Sequence, residues 1–219
     1  MSRISVVIPA LNAAATLAAT LATLEGVAAI VVDGGSTDAT MAVARQAGAQ
    51  VVSAPRGRGG QLAAGVAAAG GEWLLLLHAD TRLAPGWRLA ADRLVAQGGL
   101  RAGYFRFSLD SPDPRARRLE RRVVWRSRTL GLPYGDQGLL VSRALLTEVG
   151  GVRPLPLMED VDLVRRIGRA RLVALEADAV TSAARWERDG WRRRSLRNLA
   201  CLTLYFAGLP PRVIARLYA

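Results

Sequence analysis

The chain has 219 residues, 51% hydrophobic and 22% charged, so it reads as globular and long enough for one sizeable domain, with or without an appendage. Its one cysteine, Cys201, excludes an intramolecular disulfide and a cysteine-based metal site. The formal net charge is +12, with every positive side chain an arginine, and it is uneven: residues 1–100 hold 7 Arg against 6 acids, residues 101–219 hold 23 against 12. A basic C-terminal half points to an anionic partner (nucleic acid, a phosphorylated substrate or a membrane surface) unless its arginines are simply solvated. Strand-like sequence starts at Ile4 with no leader pattern before it, and no apolar run reaches the roughly 18–20 residues of a membrane span. The expected compartment is the cytoplasm.

Residues 4–8 predict a buried strand ended by Pro9. Asn12 is placed to cap a helix whose apolar face is Leu17, Leu21 and Leu24. Residues 29–32 predict a second strand running into Asp33-Gly34-Gly35, after which Ser36 is expected to cap a helix with Asp38 in its first turn. Val51 and Val52 mark a short third strand. The loop 55–60 leads to an alanine-rich helix over about 61–69. Four leucines, 74–77, then predict a fourth strand of the kind buried on both faces, although a run this short also fits a piece of buried helix. It ends in His78-Ala79-Asp80, which holds the only histidine of the chain. If the chain stays extended there, residues 78 and 80 point to the same side. In an open α/β sheet ligands bind beyond such carboxyl ends.

Pro85 predicts the start of a helix to about Ala96. Residues 102–109 alternate as a half-buried strand, 115–128 read as a basic helix, 139–142 as a strand and 143–149 as a short helix. Residues 158–162, Met-Glu-Asp-Val-Asp, open another helix with acids in its first turn, where the helix dipole favours them. Residues 172–175 predict a strand. From Trp191 the tail is basic and then apolar, with Pro210 and Pro211 starting a second helix that carries Val213, Ile214, Leu217 and Tyr218 on one face. This alternation predicts a parallel sheet covered by helices. The fingerprint G-x-G-x-x-G is absent, which argues against a dinucleotide site.

Asn12, Asp33, Asp38, Arg58, His78, Asp80, Asp136, Glu159 and Asp160 together describe a polar mouth at one edge of that sheet. With the segments 6–12 (V-V-I-P-A-L-N), 31–40 (V-V-D-G-G-S-T-D-A-T), 76–81 (L-L-H-A-D-T), 135–138 (G-D-Q-G) and 158–162 (M-E-D-V-D), in this order and over nearly the whole chain, the sequence resembles the family 2 glycosyltransferases. The resemblance implies the GT-A fold: a Rossmann-like, mostly parallel central sheet flanked by helices, here with a C-terminal helical extension. It implies that Pro9, Ala10 and Asn12 hold the nucleoside, with Asp33 on the base and Arg58 near base or diphosphate. The family's Asp-x-Asp metal motif corresponds to His78-Ala79-Asp80, a spelling similar to that of a bacterial subgroup. Asp80 keeps the usual ligand, with His78 as a second ligand or a phosphate or ribose contact. Asp160 corresponds to the general base, with Glu159 and Asp136 next in line. Asp136 and Gln137 correspond to the acceptor and donor-sugar region.

The chemistry agrees with these residue types. A departing diphosphate needs its charge neutralised, and Mn²⁺ or Mg²⁺ does so with oxygen ligands. An acceptor hydroxyl needs a base within reach, and one base with one leaving group makes a single inverting displacement. Trp87, Trp125, Trp186 and Trp191 are available to stack on a sugar, although aromatic residues more often pack in cores. The expected protein is a single domain: residues 1–100 bind the nucleotide sugar, 101–190 carry the acceptor and catalytic side, and 191–219 form a helical tail. The expected function is metal-assisted, inverting transfer from a nucleotide sugar, a UDP-sugar by family habit, to a hydroxyl acceptor. That acceptor is lipid-linked if Arg192, Arg193, Arg194 and Arg197 with the apolar run 199–207 place the tail on the inner face of the membrane. The same apolar face would otherwise pack on the domain or form a homodimer. The alternatives are a sugar-phosphate nucleotidyltransferase, disfavoured because no glycine follows the first strand, and a non-enzymatic basic module for nucleic acid or anionic lipid, which leaves the acidic motifs unexplained.

Overall fold

The computed structural model describes residues 4–24 and 26–218, Tyr218 by its backbone alone. Its first half alternates β1 (Ile4–Ala10), α1 (Ala14–Ala22), β2 (Ala28–Asp33), α2 (Thr40–Gln46), β3 (Gln50–Ser53), α3 (Arg58–Ala68) and β4 (Trp73–Leu76). There follow β5 (Thr81–Leu83), α4 (Trp87–Gln97), β6 (Ala102–Asp110), α5 (Pro114–Leu130), β7 (Leu139–Ser142), α6 (Arg143–Glu148), α7 (Glu159–Ile167) and β8 (Leu172–Ser182). The tail is α8 (Ala184–Asp189), α9 (Trp191–Phe206) and α10 (Pro211–Tyr218).

All eight strands join one sheet in the order β3-β2-β1-β4-β7-β6-β8-β5. β3, β2, β1 and β4 are mutually parallel, as are β6 and β8, while β7 is antiparallel to both β4 and β6, and β5 is antiparallel to β8. The apolar runs are continuous because both faces are covered. Ile4, Val6, Ile8, Leu75 and Leu77 pack with α1, α2 and α4, whereas Val7, Leu74 and Leu76 pack with α3, α6 and α7.

The β4–β7 junction positions the site. Leu76 pairs with Leu139, so the carboxyl end of β4 meets the amino end of β7. The 3₁₀ turn Gly135–Gln137 therefore stands beside His78, on the edge where β1 and β2 also end.

Several local expectations are corrected. Pro9 does not end β1 but pairs with Val32 inside it. Pairing with β4 stops at Val7, whose carbonyl accepts from Leu77 N–H, so the side to which an N–H at position 9 would point is already free and proline loses nothing. Asn12 and Ser36 cap no helix: α1 and α2 start after Ala13 and Ala39. Asn12 instead ties two loops, its N–H donating to Ser36 Oγ and its Oδ1 accepting from Thr37 N–H. The α1 start is held from outside by Thr40 Oγ1 and Asp38 Oδ2, which accept from the Ala13 and Ala14 N–H groups. α3 begins at Arg58 itself. β5 has no counterpart in the sequence reading, and β8 runs seven residues beyond Leu175, to Ser182. The Tyr218 side chain, assigned to the apolar face of α10, lies outside the described residues.

Candidate active site

Three strand ends carry the residues expected on the donor side. Asp33, at the end of β2, is buried; its Oδ2 accepts from Gly35 and Ser36 N–H, both at 3.0 Å, and its Oδ1 is buried without a hydrogen-bond partner. Ala10 is buried and Pro9 half-buried at the end of β1, while Asn12 is exposed above them. Gln61, buried on α3, donates from Nε2 to both the Ala10 and Val32 carbonyls at 2.8 and 2.7 Å. It thereby fixes the spacing of the two strand ends. After β4 the chain turns instead of continuing extended, with Thr81 N–H donating to the His78 carbonyl at 3.2 Å. His78 and Asp80 then meet different neighbours. Arg58 Nη1 is 3.2 Å from His78 Nε2, and Arg185 Nη2, on α8, is 3.8 Å from Asp80 Oδ2.

The residues expected on the catalytic side stand on α7 and the 3₁₀ turn. Asp160 accepts from Gly135 N–H through Oδ2 and from Val161 N–H through Oδ1, both at 2.8 Å, so two backbone donors fix its carboxylate. A Cβ on Gly135 would lie 2.6 Å from His78 Nε2 and 3.2 Å from Asp160 Oδ2, so only glycine lets the turn pass between them. Glu159 is 2% exposed and pairs with Arg58, Oε1 to Nε at 3.2 Å, without hydrogen-bond geometry. Asp136 is half-buried; its carbonyl accepts from Thr181 Oγ1 at 3.1 Å and its Oδ1 is buried without a partner. Arg126 stacks 3.8 Å over the Tyr134 ring and donates to the Leu132 carbonyl, bracing the approach to this turn.

Burial pushes the Glu159 carboxyl up to about 7, with nearby Asp160 adding and Arg58 opposing. Burial likewise lifts Asp136 to about 6, against the pull of Arg126. Burial and the cations Arg58 and Arg185 hold His78 well below the usual imidazole range. A guanidinium only donates, so His78 Nε2 is the acceptor and the neutral ring carries its proton on Nδ1. The cavity lined by His78, Tyr134, Gly135, Glu159 and Asp160 measures about 20 Å³, room for about one water. A groove of about 730 Å³ opens at the amino ends of β1–β3, and no charged residue among those described lines it.

Residues 5–97 match the model of the family described as glycosyl transferase family 2. The match spans 93 of the 219 residues. Its fold is similar to that of glucosyl-3-phosphoglycerate synthase from Mycobacterium tuberculosis, solved with Mn²⁺, UDP-glucose and phosphoglyceric acid: 25% identity over 78% of this chain and 68% of that one, TM-score 0.57. A second mycobacterial protein is 25% identical over 82% of this chain and 65% of its own, TM-score 0.59. TarS of S. aureus shares the fold at 16% identity and TM-score 0.60, covering 82% of this chain and 58% of its own. No curated protein matches the chain in sequence.

The oxygen ligands at the end of β4 suit a divalent cation of the magnesium or manganese kind. Asp80 offers an oxygen ligand held only by a long ion pair, and such ions take one or two carboxylates and complete their shell with phosphates and water. No group of three or more His, Cys, Asp or Glu gathers for a metal among the described residues. Arg58 occupies His78 Nε2, so in this arrangement Asp80 is the candidate ligand of the pair. Gln137 is a correction: it is 1% exposed, its Nε2 donates to the Phe105 carbonyl and its Oε1 accepts from Ser127 Oγ. The amide is used up inside the fold and does not face an acceptor. Among the tryptophans, Trp87 is buried, Trp186 and Trp191 stack on each other, and Trp125 alone is openly exposed, at 60%. Sequence reasoning missed Gln61 and Arg185. Gln61 is the one long polar side chain among the alanines and glycines that follow Gly59, a visible oddity; Arg185 carries no local signal, being one arginine among many.

Proposed function

We propose that this glycosyltransferase moves a sugar from a UDP-sugar to a hydroxyl acceptor with inversion at the anomeric carbon. The observation that carries this reading is the pairing across Gly135: a carboxylate held by two backbone donors on one side, the turn that ends β4 on the other. The unpartnered Oδ1 of Asp33 is suited to accept an N–H of the base, with Pro9, Ala10 and Asn12 as the floor beneath the nucleoside. Arg58, Arg185 and the neutral His78 ring face the diphosphate. A divalent cation, Mn²⁺ or Mg²⁺, bound at Asp80 supplies stabilisation of the negative charge that gathers on the leaving diphosphate. Asp160 takes the proton of the acceptor hydroxyl, whose oxygen bonds to the anomeric carbon as the bond to the diphosphate oxygen breaks. Asp136, kept largely protonated in mildly acidic solution by burial, can donate a hydrogen bond on the acceptor side. The chain then works in the cytoplasm at the inner face of a membrane. Residues 1–100 act as the donor half, 101–190 as the acceptor half and 191–219 as the tail.

Calorimetry of UDP with Mn²⁺ and with EDTA, on the wild type and Asp80→Ala, tests the donor side. Tight binding with Mn²⁺, lost with EDTA and in Asp80→Ala, is expected. A nucleotide at about 100 times its dissociation constant should add roughly 2.7 kcal/mol of stability. Equal affinity with Mn²⁺ and EDTA would refute the metal reading.

A further inference from the structure

The last two helices turn apolar side chains outward. α9 buries only Trp191 and Cys201, and α10 buries Ile214. Cys201 and Ile214 join Met158 and Val161, the residues flanking Glu159 and Asp160, in one cluster. The opposite face of α9 is exposed, with Leu196 at 66%, Leu199 at 61% and Phe206 at 48%. With Thr203 their spacing of three and four residues keeps them on one side of the helix. The Thr203 hydroxyl donates back to the Leu199 carbonyl at 3.0 Å, so its polarity is spent within the helix. α10 adds Val213 at 43% and Leu217 at 63%. Five of the nine exposed large apolar side chains among the described residues thus lie on these two helices, which is concentration and not scatter.

The charges around this surface have one sign. Residues 191–218 contain no acid. Arg192, Arg193, Arg212 and Arg216 are exposed, Arg192 and Arg193 lying one turn before Leu196 on its side of α9. Arg194 and Arg197 are different: they pair with Asp189 at 2.8 and 3.2 Å and anchor the helix to the domain. A second copy of this chain would set arginine rims against each other with no acid of the segment to meet them. The apolar stretch from Leu196 to Phe206 rises only about 15 Å, half of a bilayer core, and no helix of the described residues is long and apolar enough to cross a membrane.

We propose that the outward face of α9 and α10 lies on an anionic lipid bilayer, its apolar side chains entering the headgroup region and the four exposed arginines meeting lipid phosphates. The inward face of the same helices packs against the start of α7, so the bilayer lies one helix diameter, roughly 10 Å, from that helix start. Resting on the transfer reading above, this assigns the acceptor to amphiphiles whose hydroxyl stands at headgroup level.

Vesicle flotation of the full chain decides it, using phosphatidylcholine alone and phosphatidylcholine mixed with phosphatidylglycerol. Binding to the mixed vesicles only, weakened by salt, is expected. Arg192→Gln with Arg193→Gln should lower partitioning about fivefold per arginine, the scale of one basic residue at an anionic surface, and Leu196→Glu with Leu199→Glu should abolish it. All four side chains are exposed, and matching thermal melts show that the variants fold. Absence of flotation by the wild type at low salt, or flotation unchanged in the leucine variant, overturns the proposal. So does a dimer in light scattering that the leucine variant splits, which would give the face to a second copy. UDP binding measured without vesicles should be the same in both variants, so failure here and failure of the donor site are read separately.

Discussion

Replacing Glu159 by glutamine separates what holds the site together from what performs the transfer. Glu159 is 2% exposed, and burial lifts its carboxyl from 4.5 to about 7, with Asp160 adding and Arg58 opposing. A raised folded value means that the folded protein favours the neutral carboxyl. The contribution of this group is therefore fully present below the unfolded value and is lost as pH rises through the folded one. The interval of about 2.5 units, at 1.36 kcal/mol each, bounds the loss at about 3 kcal/mol. Glutamine copies the neutral form at every pH and leaves Arg58, with 38% of its side chain exposed, its contact with His78 and access to water. Urea unfolding should then show Glu159→Gln and wild type equally stable at about pH 4.5 and diverging to about pH 8, where the variant gains up to about 3 kcal/mol. For a chain of this size that is roughly 6–12 °C in melting temperature. Asp136 and His78 shift the absolute curves but cancel in the difference, because both chains contain them. Parallel pH curves for the two chains would refute the burial argument. Turnover is the second readout: a carboxyl this deeply buried does not reach an acceptor, so the variant should keep kcat within about tenfold of wild type. A fall as large as that of an Asp160 variant would move the base to Glu159.

Asp160→Asn should keep UDP affinity in calorimetry and lose about 10²–10⁴-fold in kcat, since the amide keeps the shape but accepts no proton; undiminished transfer would place the base elsewhere. Gly135→Ala should cost about 1–3 kcal/mol in a melt as the new methyl pushes on His78 and Asp160. It should also lower kcat about 10²-fold, the cost of a misplacement of about 1 Å, and a fully active alanine variant would show that the close approach has no bearing on the reaction.

Asp33 and His78 were legible because each stands at a fixed offset from an apolar run. Asp33 closes the apolar run of β2, and His78 follows four leucines that sequence alone leaves open between a strand and a piece of buried helix and that pairing with β1 and β7 makes a strand. Illegible features depended on partners far along the chain. β5 has only three residues and exists because Thr81–Leu83 pair with Thr181–Ala179. The extension of β8 is set by its ladder with β6, which slips register between Tyr104 and Arg106. Asn12 and Ser36 look like helix caps in sequence, since a short polar residue before a helical pattern reads the same whether it serves its own helix or a neighbouring loop. Gln137 stands in a motif that implies contact with acceptor or sugar, yet Ser127 and the Phe105 carbonyl turn it inward.

The contacts that make chemistry out of these residues share one origin. Arg58 with Glu159, Gly135 with Asp160 and Asp80 with Arg185 each join the parallel half of the sheet, or the turn at its seam, to the segments that follow. All three depend on β7 entering antiparallel beside β4, because that reversal carries the turn at Gly135 to the carboxyl end of β4 and lets α7 pack behind it. A parallel β7 would begin at the opposite edge, placing Gly135 and Asp136 a strand length away from His78. The antiparallel entry of β7 at this seam therefore sets Asp160, its carboxylate oriented by two backbone donors, beside the carboxyl ends of the parallel strands.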